Sequence, residues 1–451
     1  MNESYIGILF CIVTLIVMLT GIPIAFALGL ISVGFMFFFM PPSSLDTVTI
    51  NVYQEMASIT LLSIPLFILK GATIGKSPAG KDLYAAIHAW LYRIPGGLGV
   101  ANTIACTLFA AMAGSSPATC SAIGSFGIPE MRRRGYSPGF AAGIIAAGGT
   151  LGILLPPSVT MILYSVAAEQ SLGRLFLAGI GPGLMMATMF GSYAIYRARK
   201  EYWQAHANYQ KDGIESAYLI KEEFSWKQKL EMMPRALPFV ILLIGVMIAL
   251  YGGYATPSEP AGVGAVLALM LIALIYGIWR PKDLSPILVT TIRESTMLLL
   301  IVGMSEFYSY VMSYLHITQA AALWIIGLGL SNWMLLATIL CLVIILGFFL
   351  PPVSIIVMTA PIIIPPLKAA GFDLVWFGVT MTIVMEMGLI HPPLGLNLFV
   401  IKNIAPDIPL SEVMKGVLPF IVLLFVGVIL ICLFPSIALA LPNTIMGNPI
   451  R

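Results

Sequence analysis

Apolar stretches long enough to cross a bilayer recur from one end of this 451-residue chain to the other, as around Phe239 to Leu250 and Val417 to Leu433 with their apolar flanks. A helix needs about 20 such residues to span a hydrocarbon core of roughly 30 Å, and the sequence offers about ten spans plus shorter apolar pieces. Only 10% of the residues are charged and 59% are hydrophobic, with a mean hydropathy of +0.97. A soluble domain carries about 25% charged residues. The fold class is therefore an all-α polytopic membrane protein, with lipid against most of its surface.

The net charge of +3 argues against nucleic acid as a partner, since the basic residues sit in short clusters between spans rather than along one face. Cys11, Cys106, Cys120, Cys341 and Cys432 lie in apolar segments without CxxC spacing or interleaved His, so they read as buried free thiols. Met1 to Tyr5 carries Glu3 and no Lys or Arg, unlike the start of a cleaved signal peptide, and the first span is expected to stay in the mature chain.

Charge also sets the topology. No Lys or Arg precedes Lys70, whereas the 41–57 connection holds Asp46 and Glu55, which places the N-terminus and that connection outside. A span around 58–73 then delivers Lys76 and Lys81 inside. Arg132, Arg133 and Arg134 belong inside too, yet a single apolar stretch with Gly114 and Pro117 near its middle separates them from Arg93. Such a stretch can enter and return as a re-entrant hairpin. Spans at 139–168, 175–196, 236–253, 258–279 and 286–312 follow, with the polar loop 197–235 and Arg280 and Lys282 inside. The stretch 332–367, interrupted at Leu350-Pro351-Pro352, reads as a second hairpin entering from outside, and spans 374–402 and 414–440 complete the count.

A repeat underlies this pattern. Pro129, Gly135, Gly152, Pro156 and Pro157 recur at a constant offset of 236 as Pro365, Gly371, Gly388, Pro392 and Pro393. The same offset carries the first hairpin tip, Ser115-Ser116, onto Pro351-Pro352. One hairpin base lies inside and the other outside, so the halves are inverted repeats, an organisation typical of secondary transporters.

Each half contains a span broken at its centre, at Gly148 to Ser158 and at Gly388 to Asn397. Paired prolines release carbonyls from the helical ladder, and in lipid these must be buried in protein or line a cavity where an ion can sit. Sodium, a hard cation, suits such carbonyls and hydroxyls. The tip Gly114-Ser115-Ser116-Pro117-Ala118-Thr119 supplies three hydroxyls and free N–H groups where a helix restarts. Kinks and small residues also serve plain helix packing. One break alone favours that reading; four matched breaks at inverted positions favour an ion site.

Glu386 and His391 are candidates because ionisable groups deep in a span are usually functional. His391 fits either a donor to a substrate carboxylate or a local bond to a carbonyl. Glu306 is an open candidate in mid-span, Arg293 and Glu294 fit a pair near a span end, and Thr256-Pro257-Ser258-Glu259 fits a capping box. Gly71 to Ser77 falls one residue short of a Walker A loop and follows a span rather than a strand, which argues against an ATPase. No zincin motif, nucleophile elbow or dinucleotide fingerprint is present, and the chain does not read as an enzyme.

Several runs together resemble the large membrane subunit of tripartite ATP-independent periplasmic (TRAP) transporters over nearly the whole chain. They are Gly21 to Gly29, Ile64-Pro65-Leu66-Phe67, Gly114 to Thr119, Gly149-Thr150-Leu151-Gly152 with Pro156-Pro157-Ser158, Tyr254 to Glu259, and Pro392-Pro393-Leu394-Gly395. The resemblance implies an elevator-type carrier in a bacterial inner membrane. Scaffold helices would occupy 1–81 and 181–315, the two transport-domain halves 82–180 and 316–410, and a C-terminal helix 411–451. It further implies a small four-helix membrane subunit, a periplasmic substrate-binding protein, surrounding membrane lipid, a carboxylate substrate and Na+ as the transported coupling ion. Sodium ligands by resemblance are Ser115, Ser116, Thr119, Thr150, Gly152 and Ser158, and in the other half Gly347, Pro351, Ser354, Gly388, His391 and Asn397. The substrate would meet Ser116, Thr119, Pro157, Ser158, His391 and Asn397. Two features depart from the family: His391 stands where many members have Thr, and loop 197–235 is long. A stand-alone carrier of the same superfamily is the alternative within transport. An intramembrane hydrolase using His391 and a serine has no base–nucleophile spacing to support it.

Overall fold

A computed structural model describes residues 3–42, 44–94, 96–212, 224–251, 255–327, 329–392 and 395–447, and among these the chain is helical with no strands. The first half contains α1 (Glu3–Leu19), α2 (Ile24–Phe39), α3 (Ser44–Met56), α4 (Ile59–Gly75), α5 (Ala79–Leu91), α6 (Gly97–Ala113), α7 (Ser116–Arg133), α8 (Pro138–Leu154), α9 (Val159–Ala167) and α10 (Leu172–Asp212). The second contains α11 (Trp226–Tyr251), α12 (Ser258–Tyr276), α13 (Pro281–Tyr314), α14 (Ile317–Gly327), α15 (Asn332–Gly347), α16 (Pro352–Ala369), α17 (Leu374–Ile390), α18 (Leu396–Ile404), α19 (Leu410–Leu433) and α20 (Ser436–Met446).

The offset of 236 carries the bounds of α7 onto α16, and those of α8 onto α17, without a shift. The helix ends match as well. Gly135 and Gly371 both adopt left-handed backbone, at φ 80° and 82°. Each closes its helix with the same bond across the end, from Tyr136 N to Met131 O and from Phe372 N to Leu367 O, both 3.1 Å.

The repeats run in opposite directions. Along α7, Ser116 at the start meets Asn397 in α18, and Arg132 at the foot pairs with Asp407 just beyond α18, at 2.5 Å. The bond from the Arg132 guanidinium holds the Asp407 carboxyl below the usual carboxylate range. α18 therefore runs parallel to α7 and finishes at its foot. α8 starts from that same foot and continues through α9 away from it, so the two broken helices α8–α9 and α17–α18 are antiparallel. Each hairpin also packs on the other half's broken helix, α7 on α18 and α16 on α9.

Hairpins form where the charge count requires them, α6–α7 and α15–α16, and the expected broken spans are α8–α9, bent by 41°, and α17–α18. α17 is largely apolar, with no polar face, and all of it is buried, as a helix surrounded by other helices must be. Among the described residues, six helices are long and apolar enough to cross a membrane, and up to eight if each bent pair is one span. The expected total of about ten is larger because Gly and Pro divide apolar stretches into helices of 10–17 residues.

Some expectations need correction. The 41–57 connection is largely the helix α3, and the 414–440 span breaks at Pro435 into α19 and α20. Loop 197–235 is mostly continuation of α10 and the beginning of α11, with 213–223 outside the described residues. Cys106 and Cys120 are buried free thiols, but Cys11 and Cys341 are exposed on the outer surface. A thiol is apolar enough for that position in a chain whose outer surface faces lipid.

α8 crosses α19 backbone to backbone: a Cβ at Gly416 would overlap the Gly139 carbonyl. Gly416→Leu should therefore cost at least about 1–3 kcal/mol by overpacking and lower the melting temperature in detergent by several degrees. An unchanged melting curve would refute this crossing.

Candidate functional site

The site grows out of prolines at four helix ends. An α-helical N–H at position i bonds the carbonyl at i−4, so Pro156 and Pro157 deprive the carbonyls of Gly152 and Ile153 of their donors. The Ser158 hydroxyl takes over one of them, donating to Ile153 O at 2.6 Å, and also accepts from Met161 N to cap α9. The Gly152 carbonyl keeps no helical donor. In the other half Pro351 does the same to Gly347. Pro392 does it to Gly388, whose carbonyl receives only a long 3.4 Å bond from His391 N. Three of the expected cation ligands are thus the carbonyls that the proline pattern frees.

The interruptions lie against one another. A Cβ at Gly152 would stand 2.7 Å from the Ser115 carbonyl, and one at Gly114 2.7 Å from the Pro157 carbonyl, so the first hairpin tip sits in the first helix break. Gly114 turns the chain there at φ 65°. In the second half the Gly347 carbonyl abuts the Gly388 backbone. Asn397 joins the halves: its amide nitrogen donates to Ser116 Oγ at 2.8 Å and to Ala146 O at 3.1 Å.

Ser116, Thr119, Thr150, Ser158, Ser354 and Asn397 are all fully buried. Thr119 Oγ1 donates to Ser115 O at 2.8 Å and Thr150 Oγ1 to Ala147 O at 2.6 Å, which leaves both hydroxyls their lone pairs. Ser354 Oγ and Asn397 Oδ1 have no hydrogen-bond partner among the described residues. Pro351 caps the start of α16, while His391 is held in the second break, its Nδ1 2.5 Å from Pro392 O and its ring stacked on Phe348 at 4.1 Å. The structure thus brings together Ser115, Ser116, Thr119, Gly152, Pro157, Ser158 and Asn397 around the first tip, and Gly347, Pro351, Gly388 and His391 around the second. Thr150 lies one turn before the first break. Pro393 falls outside the described residues, as does Tyr254.

Helix dipoles give the assembly its electrostatic character. The N-termini of α7, α9 and α18 open at this junction and favour an anion, while the C-terminal carbonyls of α6, α8, α15 and α17 favour a cation. Helix ends favourable to an anion and ends favourable to a cation therefore lie side by side in the interior.

Other candidates resolve differently. Glu259 is a helix-start device, its carboxylate accepting from Thr256 N at 2.6 Å and from the Thr256 hydroxyl at 3.0 Å. Arg293 and Glu294 are exposed on α13. Glu386 is fully buried with neither oxygen hydrogen-bonded among the described residues. Sequence reasoning used Lys70 only as a topology marker, yet its amine is buried without a hydrogen-bond partner among the described residues, 5.1 Å from the Phe67 ring. Its position as a lone charge within the apolar run of α4 was the available signal. Nothing in the sequence pointed to the Ala146 carbonyl or to Phe348. A separate cavity of about 520 Å³ lies beyond the far end of α9, lined by Ser58, Thr60, Ser165, Glu169, Gln170 and Ser171 among others.

Known proteins share the sequence and the fold of this chain. Residues 11–437 match the family described as Tripartite ATP-independent periplasmic transporter, DctM component. The chain is 34% identical over 440 residues to the C4-dicarboxylate TRAP transporter large permease protein DctM of Rhodobacter capsulatus, covering 94% of this chain and 96% of that one. It is 30% identical to the ectoine TRAP transporter large permease protein TeaC of Halomonas elongata, over 94% and 99% of the two chains. Among solved structures, the YdaH transporter of Alcanivorax borkumensis superposes with a TM-score of 0.64 at 14% identity, covering 89% of this chain and 90% of that one, which is a likeness of fold. The chain belongs to the DctM family of TRAP transporter large permeases and is a multi-pass membrane transport protein rather than an enzyme.

Proposed function

We propose that this permease drives uptake of a small carboxylate across a bacterial inner membrane with a sodium gradient, together with a small membrane subunit and a periplasmic binding protein. The observation that carries the proposal is the junction of broken helices, where N-termini suited to a carboxylate meet proline-freed carbonyls suited to sodium. Related permeases are named for C4-dicarboxylate, ectoine and sialic acid, and two of those three ligands are acids with a net negative charge. A further relative, the isethionate permease protein DctMQ of Oleidesulfovibrio alaskensis, is matched over 64% of its length. Its remaining length leaves room for a fused small subunit, in keeping with a partner for this chain.

Comparison of the two repeats supports an elevator movement. By the charge count α4 ends inside and α13 ends outside. The first hairpin tip, at Ala113, touches Gly71, four residues from the inner end of α4. Val357, five residues past the start of α16, meets Ser305, nine residues from the outer end of α13, through a 3.5 Å bond to its carbonyl. At 1.5 Å per residue the first tip lies about 6 Å from its end of the scaffold and the second about 21 Å from its own. The hairpins are thus displaced inward. Exchanging the two environments moves them outward by about ten residues, or roughly 15 Å, which sets Val357 opposite Leu315 at the outer end of α13.

Three outcomes are expected. In proteoliposomes containing the small subunit and binding protein, an imposed sodium gradient should drive uptake of radiolabelled succinate or another small acid; uptake that follows only a proton gradient would defeat the coupling. Ser116→Ala, Thr150→Ala and Asn397→Ala should each raise the sodium concentration for half-maximal uptake roughly tenfold, the effect of losing about 1.4 kcal/mol of binding; superimposable sodium titrations would remove those residues from the site. Cysteines at Ser305 and Val357 should cross-link and arrest transport until reduced, and cysteines at Leu315 and Val357 should cross-link during turnover. Failure of the second pair in an active protein would rule out the movement.

A further inference from the structure

A cluster of aromatic and basic side chains at the cytoplasmic edge takes no part in the transport site. α5 ends with Trp90 and Leu91 before Tyr92 and Arg93, and α11 begins with Trp226, Lys227 and Lys229. The Lys229 amine lies 4.8 Å from the ring of Tyr92, 5.2 Å from Trp226 and 5.5 Å from Trp90, so it is boxed by three π faces. Trp90 and Trp226 meet edge to face at 5.8 Å, and Phe224 packs on Tyr92 at 5.4 Å. Arg93 donates from Nε to Tyr92 Oη at 2.9 Å and lies 5.6 Å from the same ring.

Among the described residues the charges here have no carboxylate partner. Elsewhere on this face Arg132 pairs with Asp407, Arg133 and Arg134 with Glu130, and Arg197 with Glu201. Arg93, Lys227 and Lys229 form no salt bridge to any described carboxylate. Trp90 and Trp226 are 43% and 70% exposed, a costly display of indole unless something amphipathic covers it. Depth identifies the cover. Lys229 precedes Arg235 by six residues and the apolar part of α11 begins just after, which puts the cluster about 9 Å outside the hydrocarbon, at headgroup level.

We propose that this cluster binds the headgroup of an anionic phospholipid in the cytoplasmic leaflet. Arg93 and Lys227 face its phosphate, the boxed Lys229 adds positive potential, and the exposed indoles offer N–H donors to the headgroup and faces to the glycerol and upper acyl chain. α5 and α11 would thereby be held at one depth in the membrane.

The test uses the full chain in nanodiscs of phosphatidylcholine alone or mixed with phosphatidylglycerol. Phosphatidylglycerol should raise the melting temperature by several degrees and be retained preferentially in native mass spectra. The double variant Arg93→Gln/Lys227→Gln, altered at exposed side chains, should melt like wild type in phosphatidylcholine and lose most of the phosphatidylglycerol shift. Arg93→Lys alone should keep that shift, which separates charge from structural damage. Equal retention of both lipids by wild type, or an undiminished shift in the double variant, would overturn the proposal. So would an equal shift produced by inorganic phosphate in detergent, which would indicate a free-anion site.

Discussion

Everything distinctive in this molecule follows from the intolerance of lipid for an unpaired peptide group. A carbonyl stripped of its donor costs several kcal/mol in hydrocarbon, so a chain that interrupts its helices in mid-membrane must enclose each interruption in protein. Pro156, Pro157, Pro351 and Pro392 create such carbonyls, and α8 and α17 are buried along nearly their whole length as a result. The hairpins supply the enclosure, each arriving from its own side of the membrane to cover a break.

Enclosure by symmetry is economical of sequence. Because α7 packs on α18 and α16 on α9, each half completes the other, and one pattern of Gly and Pro read twice makes both contacts. The halves have nonetheless diverged in chemistry. Thr150 in the first broken helix is Glu386 in the second, and Ser116 at the first tip is Pro352 at the second. Hydroxyls concentrate around the first interruption and an aromatic stack, His391 on Phe348, marks the second. The two cation positions proposed above would therefore rest on different ligands and need not bind with equal affinity.

The backbone framework was legible in the sequence because prolines and glycines report local geometry directly. Pro and Gly at matched spacing located both hairpins and both broken helices, and the arginine cluster at 132–134 fixed the direction of the first. Contacts between distant segments were not legible. Asn397 could be nominated by resemblance, but its bond to Ala146 O depends on how α18 leans on α8, which no local pattern encodes. Lys70 shows the same limit from the other side: a residue that reads as a boundary charge lies wholly inside, because Gly264 on α12 leaves room for its stem. Helix ends shifted where polar connections continued as helix, as in α3 and the extension of α10, since amphipathic segments at a membrane surface lack the apolar length that marks a span.

The bond from Asn397 to Ser116 joins residues 281 positions apart. During synthesis the first hairpin and α8 reach the bilayer long before that asparagine exists, with their polar atoms already made. The early half must therefore wait, shielded by water, by lipid headgroups or by the insertion machinery, until ribosomes have delivered nearly the entire remaining polypeptide. Biogenesis of this permease is consequently a late-closing process, in which the last third of translation decides whether the first third was worth inserting.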